Sequence, residues 1–162
     1  MDIEFRQSTD SDEQELILCM NEFEDYYACL ETPVRKSRSP EFGQQFIPVL
    51  LKKIKSENGK IVVALDNKKI IGFAVGIIER QTELDEIANG YVKCGSILEL
   101  FVKDTYRDKG IGKELVNKLE SYLKESDCTK INLEVIHSNK DIVKFYNHIG
   151  YTIETIILSK TI

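Results

Sequence analysis

A chain of 162 residues with 42% hydrophobic and 30% charged side chains suits one folded domain over residues 1–162 and argues against disorder. A net charge of -5 and a pI near 5.2 disfavour a dedicated nucleic-acid binder, which shows a basic footprint. No apolar run approaches the roughly 20 residues of a membrane helix, and the polar, acidic N-terminus lacks the basic and apolar regions of a signal peptide.

Residues 2–7 read as a strand. Ser11 with Gln14 three residues on is a capping-box signature, and Leu16, Met20, Phe23 and Tyr27 recur at helical spacing, predicting a helix from about 11 to 29. Residues 10–31 hold Asp10, Asp12, Glu13, Glu15, Glu22, Glu24, Asp25 and Glu31 and no Lys or Arg. That run is either a solvated helix face or an acidic wall for a cationic partner. A second helix is predicted over 41–57, with Pro48 as a break or kink.

"KIVVALDNKKIIGFAVGIIE" (60–79) reads as a hairpin turning at Asp66–Lys69, residues 80–94 as polar loop, and "SILELFV" (96–102) as a strand. A glycine-containing turn then leads into a helix marked by Ile111, Leu115, Leu119, Tyr122 and Leu123 and ending near Ser126. Residues 130–135 alternate as a strand. Ser138 with Asp141 marks a further helix start, Gly150 its C-terminal cap, and 151–158 a final strand. The order β-α-α-β-β-β-α-β-α-β implies an α/β fold with a mixed sheet and helices on both faces. Cys19, Cys29, Cys94 and Cys128 form no CxxC pair, so reduced thiols, a cytoplasmic location and no metal are expected.

The chemistry concentrates in "YRDKGIGKELV" (106–116). A strand, a glycine turn and a helix start together suit phosphate: the first helical N–H groups lack internal partners, and the helix dipole adds positive charge. A P-loop is excluded because Gly112-Lys113 is followed by Glu114 and Arg107 stands where the earlier glycine belongs. A Rossmann fingerprint is excluded because Leu115 stands where its third glycine belongs.

Arg107-x-x-Gly110-x-Gly112 instead resembles the pyrophosphate loop of the GNAT superfamily of acetyl-CoA-dependent N-acetyltransferases. "NKDIVKFYNHIGY" (139–151) is similar to that family's last-helix pattern, with Asn139, Tyr146, Gly150 and Tyr151 in step and Ile142 where a small residue is common. The resemblance implies that backbone N–H groups across Arg107, Asp108, Lys109, Gly110, Ile111, Gly112 and Lys113 wrap the coenzyme A pyrophosphate. It implies that the main chain of Leu100, Phe101 and Val102 pairs with the pantetheine arm and that Asn139 bonds that arm. Tyr146 would meet the sulfur and protonate the departing thiolate.

Glu99 is the expected base. Strand alternation places it on a face with Ile97 and Phe101, where partial burial would make it more basic. The acceptor is expected against residues 21–34 and 80–91, with Glu24, Asp25, Tyr26, Tyr27 and Glu99 as its contacts. Carboxylates and aromatics together suit a cationic primary amine: a polyamine, an aminoglycoside-like compound or a protein amine. A Cys94–His137 nucleophile has no supporting motif. The alternative reading is a non-catalytic acyl-CoA-binding or sensing module on the same fold. Dimers are common in the family, so a homodimer is compatible with the resemblance.

Overall fold

The computed structural model describes residues 2–29 and 41–160. Its centre is a five-stranded sheet in the order β1 (Glu4–Gln7), β2 (Lys60–Asp66), β3 (Lys69–Ile78), β4 (Cys94–Val102), β5 (Lys130–Leu133). The first four strands pair antiparallel, and β5 joins β4 in parallel. β2 and β3 are buried on both faces, which is why they read as near-continuous apolar runs.

Helices cover both faces. On one, α1 (Glu13–Ala28) and α2 (Phe42–Ser56) bury Leu16, Met20, Phe23, Ile47 and Leu50 against Phe73, Val75 and Phe101. On the other, α4 (Ile111–Glu125) and α5 (Lys140–His148) pack Ile111, Leu115, Leu119 and Tyr146 against Val62, Ala74 and Ile97. Each fully buried Leu, Ile or Phe contributes roughly 1.5–3 kcal/mol, so the two cores fix the sheet firmly between its helices.

Several expectations are corrected. Pro48 does not break the second helix, which runs through it from Phe42 to Ser56. The expected loop at 80–94 contains a further helix, α3 (Glu83–Asn89), where the Thr82 hydroxyl accepts from Asp85 N–H at 3.2 Å. The first helix is capped not by Ser11 and Gln14 but by a 3-10 turn at Asp10–Asp12. There the Asp12 carboxylate accepts from Thr9 N–H at 2.7 Å and from Arg6 at 2.7 and 2.8 Å. β5 stops at Leu133 rather than 135. The final strand is not formed among the described residues: 151–158 have no ladder partner there, and Ile153, Ile156, Ile157 and Leu158 are exposed. Residues 30–40, including Glu31, Pro33 and Pro40, lie outside the described residues.

Candidate active site

The site begins where the sheet comes apart. β5 pairs with β4 only from Cys94↔Lys130 to Ile97↔Leu133. Beyond that register β4 continues to Val102 with β3 alone on one side, so the main chain of Leu98–Val102 has a free edge facing the diverged end of β5. A free edge of this kind accepts an extended amide-bearing ligand as an added strand.

β4 also carries an irregularity there. Val75 pairs with Glu99 and Gly76 with Ile97, leaving Leu98 as an extra, bulged residue. The bulge corrects the expected alternation: Ile97 packs in the α4-side core and Phe101 in the α1-side core, so Glu99 cannot share a face with both. Two positions from Phe101, Glu99 is turned toward the α1 side, where it is half-buried.

Glu99 and Tyr146 meet in a cleft of about 30 Å³ between β4 and the end of β5, bordered also by Phe23, Tyr27, Glu134 and Ile142. Tyr146 is 6% exposed, with its ring edge-on to Phe145 and Tyr151 at 5.1 and 5.4 Å. Its hydroxyl makes no hydrogen bond among the described residues, and the side chain lines this cleft. Burial, with smaller contributions from Tyr27 and Glu99, pushes the phenol well above its ordinary range, so it holds its proton. Phe23 and Glu134 were not singled out from sequence as site residues, and Ile142 stood out only as a departure from the last-helix pattern. Glu134 sits one residue past β5 in a run that reads only as an alternating strand.

At the end of β4 the chain makes a 3-10 turn, Asp104–Tyr106, tied to the β2–β3 turn by Tyr106 Oη donating to Asp66 at 2.7 Å. Asp108 and Gly110 then take positive φ, 60° and 80°, and α4 starts at Ile111. Arg107 N–H bonds Asp104 and Glu114 N–H bonds Gly110. Between them, the six amides from Asp108 to Lys113 form no hydrogen bond among the described residues. A run of N–H groups without internal partners at the start of a long helix is the donor set a pyrophosphate needs, so these residues fit the group the sequence motif implies. Three cations stand around this turn: Arg107, Lys109 and Lys113. Arg107 donates from Nε to the Val102 carbonyl at 3.1 Å and pairs with Asp104 at 2.8 Å, which makes it a brace. Lys109 turns back to the Thr105 carbonyl at 2.7 Å, whereas Lys113 is exposed without a partner among the described residues.

α5 is held at both ends. Asn139 is its N-cap: Oδ1 accepts from Ile142 N–H at 3.4 Å. Gly150 has φ 103°, and the paired bonds Tyr151 N–H to Tyr146 O and Gly150 N–H to Asn147 O close a Schellman motif. This end geometry fixes the axial position of Tyr146.

The expected acceptor wall is largely engaged inside the chain. Asp12 binds Arg6, Glu15 accepts from Ile70 N–H at 2.8 Å, Glu22 pairs with Lys103 at 3.0 Å, and Glu24 is buried. Asp25 is exposed and Tyr27 lines the cleft, and Glu83 and Glu86 lie on exposed α3. Residues 30–34 of the expected acceptor segment are outside the described residues. Cys94 lies at the far end of β4 from His137, and burial raises its thiol pKa, both unfavourable for a nucleophile. Among the described residues there is no group of three metal-ligating side chains, and no helix is long and apolar enough to cross a membrane.

Known proteins share the family sequence pattern and the fold. The sequence model of the acetyltransferase (GNAT) family matches residues 20–151. N-alpha-acetyltransferase 30 of Xenopus laevis is 40% identical over 57 residues, 35% of this chain and 21% of that protein. Glucosamine 6-phosphate N-acetyltransferase 1 of Dictyostelium discoideum is 28% identical over 124 residues, 75% of this chain and 72% of that one. The match therefore spans about a fifth of the first relative and nearly three quarters of the second. The solved structure of glucosamine-6-phosphate N-acetyltransferase from Arabidopsis thaliana has the same fold, with a TM-score of 0.71 at 20% identity over 99% of both chains.

Proposed function

This chain belongs to the GNAT acetyltransferase family, and from that premise we propose that it transfers an acetyl group from acetyl-CoA directly to a primary amine, within one domain spanning residues 1–162. The observation that carries this reading is the cleft at the divergence of β4 and β5, lined by the half-buried Glu99 and by Tyr146, whose hydroxyl makes no hydrogen bond among the described residues.

Acetyl-CoA supplies an activated thioester. The amides of Asp108–Lys113 hold its pyrophosphate, the free edge of Leu100–Val102 aligns its arm, and Asn139 bonds that arm from the start of α5. Glu99 takes a proton, through water, from the acceptor ammonium, because only the neutral amine attacks. Tyr146 gives its proton to the departing sulfur; its raised pKa keeps that proton available until negative charge develops.

The acceptor is a cationic amine: a polyamine, an aminoglycoside-like molecule or a protein amine. Supporting this, Glu99, Glu134 and Tyr27 border the cleft, and Asp25 is exposed on α1. Release of coenzyme A thiol across a panel of cationic, neutral and acidic amino compounds tests it. Preference for the cationic members is expected, and preference for an acidic acceptor would overturn the assignment. Tight acetyl-CoA binding without thiol release for any member would favour a non-catalytic binding module.

A further inference from the structure

Tyr26 stands next to the cleft-lining Tyr27 on α1, yet it engages two groups on the donor side. Its ring lies against the Arg107 guanidinium, 4.5 Å from the ring centroid. Its hydroxyl donates to Oδ1 of Asn139 at 3.3 Å, across 113 residues of sequence. One side chain thus touches both the loop that ends in the pyrophosphate-binding amides and the cap of the helix that carries Tyr146.

The consequence follows from counting lone pairs. Asn139 is 6% exposed, so its hydrogen bonds decide how its amide is turned. Oδ1 can accept twice. Ile142 N–H takes one position at 3.4 Å and Tyr26 Oη the other at 3.3 Å. With Oδ1 filled, the amide offers a ligand its Nδ2 donor, which suits a carbonyl of the cofactor arm. At its other contact Tyr26 backs a cation already committed to the Val102 carbonyl and to Asp104, so the ring holds the end of β4 and the start of the loop in one place.

We infer that Tyr26 is a positioning residue for the acyl donor: its hydroxyl sets the orientation in which Asn139 meets the pantetheine arm, and its ring fixes Arg107 beneath the pyrophosphate loop. This rests on the reading of the chain as a coenzyme A binder, and it moves Tyr26 from the acceptor side to the donor side.

The two contacts separate by substitution. Tyr26→Phe keeps the ring and removes only the hydroxyl, whereas Tyr26→Leu removes both. Affinity is measured calorimetrically for coenzyme A and for 3′-phosphoadenosine 5′-diphosphate, which has the pyrophosphate but no arm. Tyr26→Phe is expected to weaken coenzyme A about 5- to 10-fold and to leave the fragment unchanged. Tyr26→Leu, checked for folding by thermal melt, is expected to weaken both. In an Asn139→Ala background, Tyr26→Phe is expected to change coenzyme A affinity less than about twofold, because the atom it acts through is gone. Unchanged coenzyme A affinity in Tyr26→Phe, or an equal loss in both backgrounds, would overturn the assignment while leaving the donor reading intact. Failure of the wild-type chain to bind coenzyme A would remove both.

Discussion

Replacing Tyr146 with Phe isolates one atom of the reaction centre. The phenol ring is 6% exposed and packs against Phe145 and Tyr151, contacts that Phe retains. The hydroxyl has no hydrogen bond among the described residues, so its removal strands no partner and should change stability by less than about 1 kcal/mol. Catalysis should respond differently. A positioned general acid contributes about 10²–10⁴-fold, so a loss of at least about 100-fold in kcat is expected, equivalent to roughly 2.7 kcal/mol of transition-state stabilisation. Affinity for acetyl-CoA should hold within about twofold, because the pyrophosphate loop and β4 are untouched. Thiol release under saturating substrates, calorimetric titration of acetyl-CoA and a thermal melt together give these three numbers. The raised phenol pKa adds a pH condition: this group stays protonated beyond the ordinary tyrosine value near 10, so it should impose no alkaline fall in kcat below about pH 10. A Tyr146→Phe enzyme within threefold of wild-type turnover would refute the assignment of this phenol as the acid.

Glu99→Gln should lower turnover about 100-fold near neutral pH and recover part of it at alkaline pH, where the acceptor deprotonates unaided; full activity across the profile would remove Glu99 as base. The two motif glycines should part company. Gly110 has φ 80°, so Gly110→Ala should cost about 1 kcal/mol of stability, whereas a Cβ at Gly112 meets its nearest atom at an ordinary 3.7 Å and Gly112→Ala should be neutral or stabilising by up to about 1 kcal/mol. Equal losses in the two melts would contradict the loop geometry. Asp12→Asn should destabilise by about 2 kcal/mol at neutral pH by breaking the bidentate Arg6 contact. That contact holds the Asp12 carboxyl below its ordinary range, so its stabilisation is complete above about pH 4 and lost as pH falls further. Denaturation curves of the two proteins should therefore converge in acid.

The central sheet, four of the helices and the glycine turn that opens α4 were legible in sequence because each is encoded locally, by apolar period or by glycines at fixed spacing. What escaped depends on distant partners. The bulge at Leu98 exists only in the pairing of β4 with β3, so alternation alone put Glu99 on a face with Ile97. Ser11 and Gln14 looked like a cap, but Arg6 reaches across from β1 and recruits Asp12 instead. Sequence alone could not separate a phosphate contact from a brace at Arg107, because its contacts to the Val102 carbonyl and the Tyr26 ring are tertiary. The segment 151–158 has the composition of a strand, yet a strand needs a ladder and this one has no neighbour among the described residues. The helix at Glu83–Asn89 did leave a local trace in its Thr82-x-x-Asp85 spacing, masked by the polar composition around it.

Acetyl balance most directly tests direct transfer. The protein is mixed with acetyl-CoA, first alone and then with a reactive cationic amine, while thiol release and intact protein mass are followed together. The account predicts no acetylated protein and no more than background thiol in the first mixture, then one thiol released for each acetylated amine in the second. An acetyl adduct on the chain that forms without amine and is discharged by adding it would contradict direct transfer from acetyl-CoA to the amine.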